Sequence, residues 1–160
     1  MSFKTNRSRT CTFIGHRTID KTEELVTKVT FEVRRLITEA GYDTFLLGSK
    51  SVFNDLCTDI LSELKKEYPH IRRIYVRAEH PVINDDYKEY LLTFCDETLY
   101  PETLVGAGRA VYVKRNRLML DNSSVCIGCY REESQPQSRK SGTKLALEYA
   151  QKCGVNVIMM

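Results

Sequence analysis

The chain has 160 residues, with 24 Lys+Arg against 21 Asp+Glu, three His, six Cys and no Trp. At 42% hydrophobic and 28% charged residues it can fill the core of one domain, which excludes wholesale disorder. A net charge of +3 does not by itself mark a nucleic-acid binder, and the absence of any run of about 18 apolar residues excludes a membrane-spanning helix.

Residues 10–14 (Thr-Cys-Thr-Phe-Ile) form a short β-prone run ending at Gly15-His16-Arg17, which reads as a buried strand. A helical pattern follows, with Leu25, Val29, Val33, Leu36, Ile37 and Ala40 on one face and Gly41 as C-terminal cap. Residues 44–47 give a second strand, leading into Gly48-Ser49-Lys50-Ser51. Phe53, Leu56, Ile60 and Leu64 then mark a second helix, which stops before Tyr68-Pro69 because proline disfavours helix in the residue ahead of it. Residues 71–76 predict a third strand, 85–94 a helix and 98–100 a short strand. Residues 106–119 predict a helix carrying a basic cluster, and 124–130 a further strand. A polar loop over 131–141 precedes a helix at 142–153 capped by Gly154, and residues 155–160 form a terminal strand.

Strands alternating with helices imply right-handed parallel crossovers. The expectation is one three-layer α/β domain over residues 1–160, Rossmann-like and doubly wound, with a mainly parallel sheet. Such sheets hold ligands beyond the carboxyl ends of their strands.

Charge is distributed unevenly. Residues 1–20 carry Lys4, Arg7, Arg9 and Arg17 against Asp20, and residues 109–117 carry Arg109, Lys114, Arg115 and Arg117 with no acid. Residues 79–102 hold seven acids (Glu79, Asp85, Asp86, Glu89, Asp96, Glu97, Glu102) and one base, Lys88. Solvated faces explain most such runs; an anion site results if the basic segments converge in the fold. The N-terminus has a basic start with no apolar stretch behind it. No secretory signal is therefore expected, and the cysteines read as reduced thiols of a cytoplasmic protein. Cys126-Ile127-Gly128-Cys129 has CxxC spacing, but no second ligand pair accompanies it, and residues three apart in a strand face opposite ways. Structural thiols are the better reading. His16 is read as a capping or packing residue or a ligand contact, His80 as bordering the same cleft, and His70 as a surface residue. No G-x-S-x-G motif supports a hydrolytic triad.

The turns carry the chemistry. Gly15-His16-Arg17, Gly48-Ser49-Lys50 with Asn54, Arg115-Asn116, and Ser141-Gly142-Thr143 combine small residues with donors that suit an oxyanion. None matches G-x-G-x-x-G or a P-loop, so the classical forms of those two nucleotide motifs are disfavoured.

Cys11-Thr12-Phe13-Ile14-Gly15-His16-Arg17 resembles the opening motif of the YpsA-like branch of the SLOG superfamily, which also includes the DNA-processing A and "lonely guy" proteins. Gly48-Ser49-Lys50-Ser51-Val52-Phe53-Asn54 is similar to a glycine-led loop of that family, with Asn54 where Asp is usual and a second glycine missing. The segment from Arg115 to Ser124 is similar to its Arg-Asn-x-x-Met-Val-Asp-x-Ser-Asp stretch, and Ser141-Gly142-Thr143 to its late Gly-Gly-Thr turn. The resemblance implies a Rossmann-like sheet and a nucleotide-like ligand over the Gly15, Gly48 and Gly142 turns, with Arg115 near a phosphate. The enzymatic branch cleaves an N-glycosidic bond with Arg and a Gly-Gly-x-Gly-Thr-x-x-Glu motif. Here the position of that Glu is Ala146, and Glu148 lies roughly 200° further round a helix. The departure argues for binding without this hydrolysis.

The expected function is therefore binding of a nucleotide or nucleotide derivative in a sensing or regulatory role. The alternatives are an N-glycosidic hydrolase, assisted by a carboxylate such as Glu79, and a DNA-binding module, which the acidic stretch disfavours. A small phosphorylated ligand is the expected partner. Neither a metal nor a cofactor beyond such a ligand is expected, and a homo-oligomer is no more than a base-rate expectation.

Overall fold

The computed structural model describes residues 4–131 and 141–160. The main elements are β1 (Thr10–Gly15), α1 (Glu23–Thr38), β2 (Thr44–Gly48), α2 (Val52–Glu67), β3 (Arg72–Val76) and α3 (Asp85–Leu91). They continue as β4 (Glu97–Leu99), α4 (Val111–Asp121), β5 (Val125–Cys129), α5 (Gly142–Lys152) and β6 (Asn156–Met159). The expected polar loop over 131–141 lies, apart from its two end residues, outside the described residues.

The six strands form one sheet in the order β4-β3-β2-β1-β5-β6, and every pairing is parallel. The chain steps outward from β1 through β2 and β3 to β4, then returns to the other side of β1 for β5 and β6. Right-handed crossovers then place α1 and α2 on one face and α4 and α5 on the other. This is a three-layer, Rossmann-like α/β fold. Its point of reversal lies between β1 and β5, where such sheets open a crevice at their carboxyl ends.

Alternation along the strands fills both faces. Cys11, Phe13, Phe45, Leu47 and Ile127 pack with Leu25, Val29, Val33, Leu36, Phe53, Leu56, Ile60 and Leu64 of α1 and α2. Ile14, Leu46, Ile74, Val76 and Cys126 pack on the opposite face with Met119, Leu120, Ala146, Leu147 and Ala150. Each fully buried aliphatic or Phe side chain contributes about 1.5–3 kcal/mol, so both helix layers are held by the apolar spacing legible in the chain. Cys126 and Cys129 fall in opposite clusters, as strand geometry requires. Burial pushes the Cys126 thiol up to about 12 and raises Cys11 and Cys57 as well, which leaves these groups as protonated packing residues.

Element limits differ from expectation by more than one residue in three helices. The first helix ends at Thr38, so Ala40 lies beyond it and is exposed, while Gly41 supplies the left-handed turn at φ 73°. The third helix ends at Leu91, short of residue 94. The helix expected from residue 106 begins at Val111, because Gly106 and Gly108 take φ of 77° and 58° and leave only a 3-10 turn at Gly108–Ala110 before it. No described helix is long and apolar enough to cross a membrane.

Candidate functional site

Strand-end glycines let three helices approach the sheet. A Cβ on Gly15 would lie 2.4 Å from Phe53 of α2, and one on Gly48 would lie 2.9 Å from Cζ of Arg115 in α4. A Cβ on Gly128 would meet Leu147 of α5 at 2.8 Å. The glycines thus fix how deeply the helices, and with them their functional side chains, sit against the strand ends.

Above β1, β2 and β5 this packing leaves a cleft of about 300 Å³. Its lining includes Gly15, His16, Arg17, Ser49, Lys50, Asn54, Arg115, Asn116, Ser141, Gly142 and Thr143, so segments far apart in sequence meet at one place. Gly48 alone of the expected residues lies beneath the lining, under the Arg115 guanidinium, with its amide donating to Asn54 Oδ1 at 3.0 Å.

Several of these residues build the site rather than face into it. Asn54 also donates from Nδ2 to the Phe13 carbonyl at 3.2 Å, so its side chain ties β1 to β2. Ser51 caps α2 by accepting from the Asn54 amide at 3.2 Å and donates to the Gly15 and His16 carbonyls, each at 3.1 Å. The amides of Val52 and Phe53 donate to the Arg17 and His16 carbonyls. The start of α2 is therefore occupied by the β1 turn and is not open to an anion. At α5, Ser141 Oγ accepts from the Lys144 amide at 2.9 Å, whereas the Gly142 and Thr143 amides take no acceptor among the described residues.

His16 is buried, with its ring 5.0 Å from that of Tyr130, and Nε2 accepts from the Arg131 amide at 2.8 Å. Burial holds its pKa below the ordinary value, and the Arg131 charge pushes the same way. A depressed histidine contributes stability that is fully present above its unfolded value of about 6.5 and is lost as pH falls through the folded value. Urea midpoints should therefore drop from pH 7.5 to pH 5.5, and the drop should shrink in His16→Gln, which still accepts but does not titrate. An equal drop in both proteins would show that His16 is not its source.

Arg115 is 4% exposed and dominates the floor. Nη1 donates to Ser49 Oγ at 2.9 Å, Nη2 to the Ser49 carbonyl at 3.2 Å, and Nε and Nη2 to Asn116 Oδ1 at 3.3 and 3.2 Å. Every one of these acceptors is neutral, and no carboxylate is within ion-pair distance of it among the described residues. Burial consequently pulls its pKa below the ordinary guanidinium value. Tyr112, one turn earlier on α4, lies between two cations, with the Arg115 and Arg17 guanidinium carbons 5.5 and 5.6 Å from its ring centre.

Behind this wall stands Glu79. Its Oε1 accepts from Tyr112 Oη at 2.6 Å and from Ser49 Oγ at 3.0 Å. Burial alone would raise this carboxyl; the two hydrogen bonds, with the charges of Lys50 and Arg115, outweigh it and hold Glu79 below its usual range. Of the basic cluster on α4, only Arg115 reaches the cleft. Arg109, Lys114 and Arg117 are exposed, the last with its guanidinium 5.1 Å from the Tyr149 ring centre. His80 and His70 are exposed, and His80 is not part of the lining. Ala146 is buried where α5 meets Asn116 of α4, outside the cleft lining.

Lys50 carries the third cation, in the left-handed region at φ 59°, an unfavourable conformation for a side chain with a Cβ. Lys50→Gly is expected to raise stability by about 1 kcal/mol by relieving that strain. Chemical denaturation measures the effect, and an unchanged midpoint would show that the turn stores no strain.

Tyr112, like Thr18, is a lining residue that sequence patterns did not single out. Its signal is its place three residues before Arg115, which sets both on one helix face. Among the described residues there is no group of three His, Cys, Asp or Glu side chains placed to hold a metal. The cleft offers donors and positive charge to an anion, from Arg17, Lys50, Arg115 and the first amides of α5. The chain matches no protein-family model, and a search of curated proteins finds no match.

Proposed function

We propose that this cleft binds a nucleotide or nucleotide derivative through its phosphate, and that the protein acts as a sensor or regulator. The observation that carries this reading is the buried guanidinium of Arg115, held by neutral acceptors and facing a cleft that Arg17 and Lys50 also line. A buried cation lacking a carboxylate is costly to maintain, and an anionic ligand supplies the missing charge. The position of the cleft at the reversal between β1 and β5 agrees with ligand binding in open α/β sheets.

The described lining contains no carboxylate, which weighs against an N-glycosidic hydrolase, since an oxocarbenium-like centre needs one beside it. Glu79 is set behind Ser49 and Tyr112. A broad nucleic-acid face is opposed by the exposed Asp85, Asp86 and Glu89.

Isothermal titration with nucleoside monophosphates, nucleoside diphosphates and ADP-ribose derivatives is the direct test. Saturable binding that weakens with added salt is expected. A folded protein that binds none of them overturns the reading. Release of free base from a nucleoside monophosphate, lost in Arg115→Ala, would replace it with the hydrolase.

A further inference from the structure

Tyr112 and Ser49 both line the cleft, and both hydroxyls meet the same carboxylate oxygen, Glu79 Oε1, at 2.6 and 3.0 Å. An ionised carboxylate only accepts, so each hydroxyl must direct its one proton at Glu79. Ser49 Oγ then accepts from Arg115 Nη1 at 2.9 Å. With its proton committed, Tyr112 Oη has only lone pairs left for any further partner. The side chains of Arg17, Lys50 and Arg115 have the opposite character, since they donate and cannot accept. One cleft therefore combines a set of donors for an anion with an acceptor that an anion's oxygens would repel.

A ligand satisfies both only if it carries a hydrogen-bond donor close to its phosphate. Building on the phosphate-binding reading above, we infer that Glu79 is a specificity-determining positioning residue. It makes Tyr112 an acceptor and so selects phosphomonoesters that bear a hydroxyl, the chemistry of a sugar phosphate, over those without one. Glu79 does not itself line the cleft and acts through Tyr112 and Ser49. Without Glu79 both hydroxyls turn freely, either can donate to a phosphate oxygen, and the discrimination disappears.

The test compares ribose 5-phosphate with ethyl phosphate, two phosphomonoesters with and without hydroxyls, on the wild type, Glu79→Ala, Glu79→Gln and Tyr112→Phe. The wild type is expected to favour ribose 5-phosphate by about tenfold, the worth of one well-placed hydrogen bond. The ratio should fall close to one in Glu79→Ala and Tyr112→Phe. Glu79→Gln keeps an amide oxygen that accepts the same hydroxyls, so most of the preference should return. General loss of structure weakens both compounds together and leaves their ratio alone; if Glu79→Ala does not fold, Tyr112→Phe carries the comparison. A wild-type ratio near one, an unaltered ratio in Glu79→Ala or Tyr112→Phe, or an equal collapse in Glu79→Gln and Glu79→Ala overturns the inference and leaves the phosphate reading standing. A folded wild type that binds neither compound overturns the inference, and the nucleotide titration above decides the phosphate reading.

Discussion

Arg115→Met is expected to lower affinity for phosphorylated ligands by roughly 100-fold, about 3 kcal/mol, while leaving thermal stability nearly unchanged. The two effects separate because of how the guanidinium is held. In the cleft its charge is desolvated and met by Ser49 and Asn116 oxygens and the Tyr112 ring, with Glu79 reached through a hydroxyl. Methionine removes a desolvated charge but leaves the Ser49 carbonyl and Asn116 Oδ1 without their donor, so the two changes in stability offset one another. With a bound phosphate, the same side chain would supply charge-assisted hydrogen bonds that methionine cannot replace. Calorimetric titration and a melting curve on one preparation measure both. Undiminished affinity would show that the phosphate sits elsewhere, and a fall in melting temperature of ten degrees or more would show that Arg115 supports the fold.

Gly15→Ala should act on the fold itself. The added methyl would lie 2.4 Å from Cβ, Cγ and Cδ2 of Phe53. Because Cβ is fixed to the backbone, no rotation of the ring relieves the clash, and α2 must lift from the sheet. Overpacking of this kind costs about 3 kcal/mol, which for a domain of this size lowers the melting temperature by roughly 6–12 °C. Phe53→Leu retains the Cβ and should not rescue the variant. Gly142→Ala is the contrasting case, since among the described residues no atom lies within 4 Å of its Cβ, and its φ is not in the left-handed range. It should leave stability unchanged or improve it slightly through helix propensity. An unaltered melting temperature in Gly15→Ala would mean that the helix yields at negligible cost.

The layers of the fold were legible because each helix carries its apolar residues at three- and four-residue spacing, and each buried strand is a short continuous apolar run. The points that escaped are governed by backbone conformation and by distant partners. Nothing local announces that Gly106 and Gly108 turn left-handed and delay α4 to Val111. Asn54 and Gly48 were readable as contacts to a ligand, but a hydrogen bond between them and a second one to Phe13 show them bracing two strands. The convergence of the turns followed from the ligand-edge rule for parallel sheets. Glu79 was legible as an acid of the acidic stretch and as the assisting carboxylate of the hydrolase alternative, but not its place behind Tyr112 and Ser49, since those partners come from a different helix and a different strand end. The basic run on α4 divides between a solvated face and the one cation expected near the ligand. One turn of helix points successive cations in different directions, so Arg115 enters the cleft while Lys114 and Arg117 remain in solvent.

The central position of β1 sets an order of assembly. Thr12 bonds to Leu46 across 34 positions, whereas His16 waits for Arg131, 115 positions away. During synthesis the β1–β4 half can pair before α4, β5 and α5 exist, with Ile14, Leu46 and Ile74 still bare on one face. The wall of the cleft carrying Arg115 and the amides of α5 arrives last. On the proposed reading, a ligand would stabilise only the form in which α4 and α5 have joined the sheet, since a chain ending before α4 lacks both Arg115 and the amides of α5.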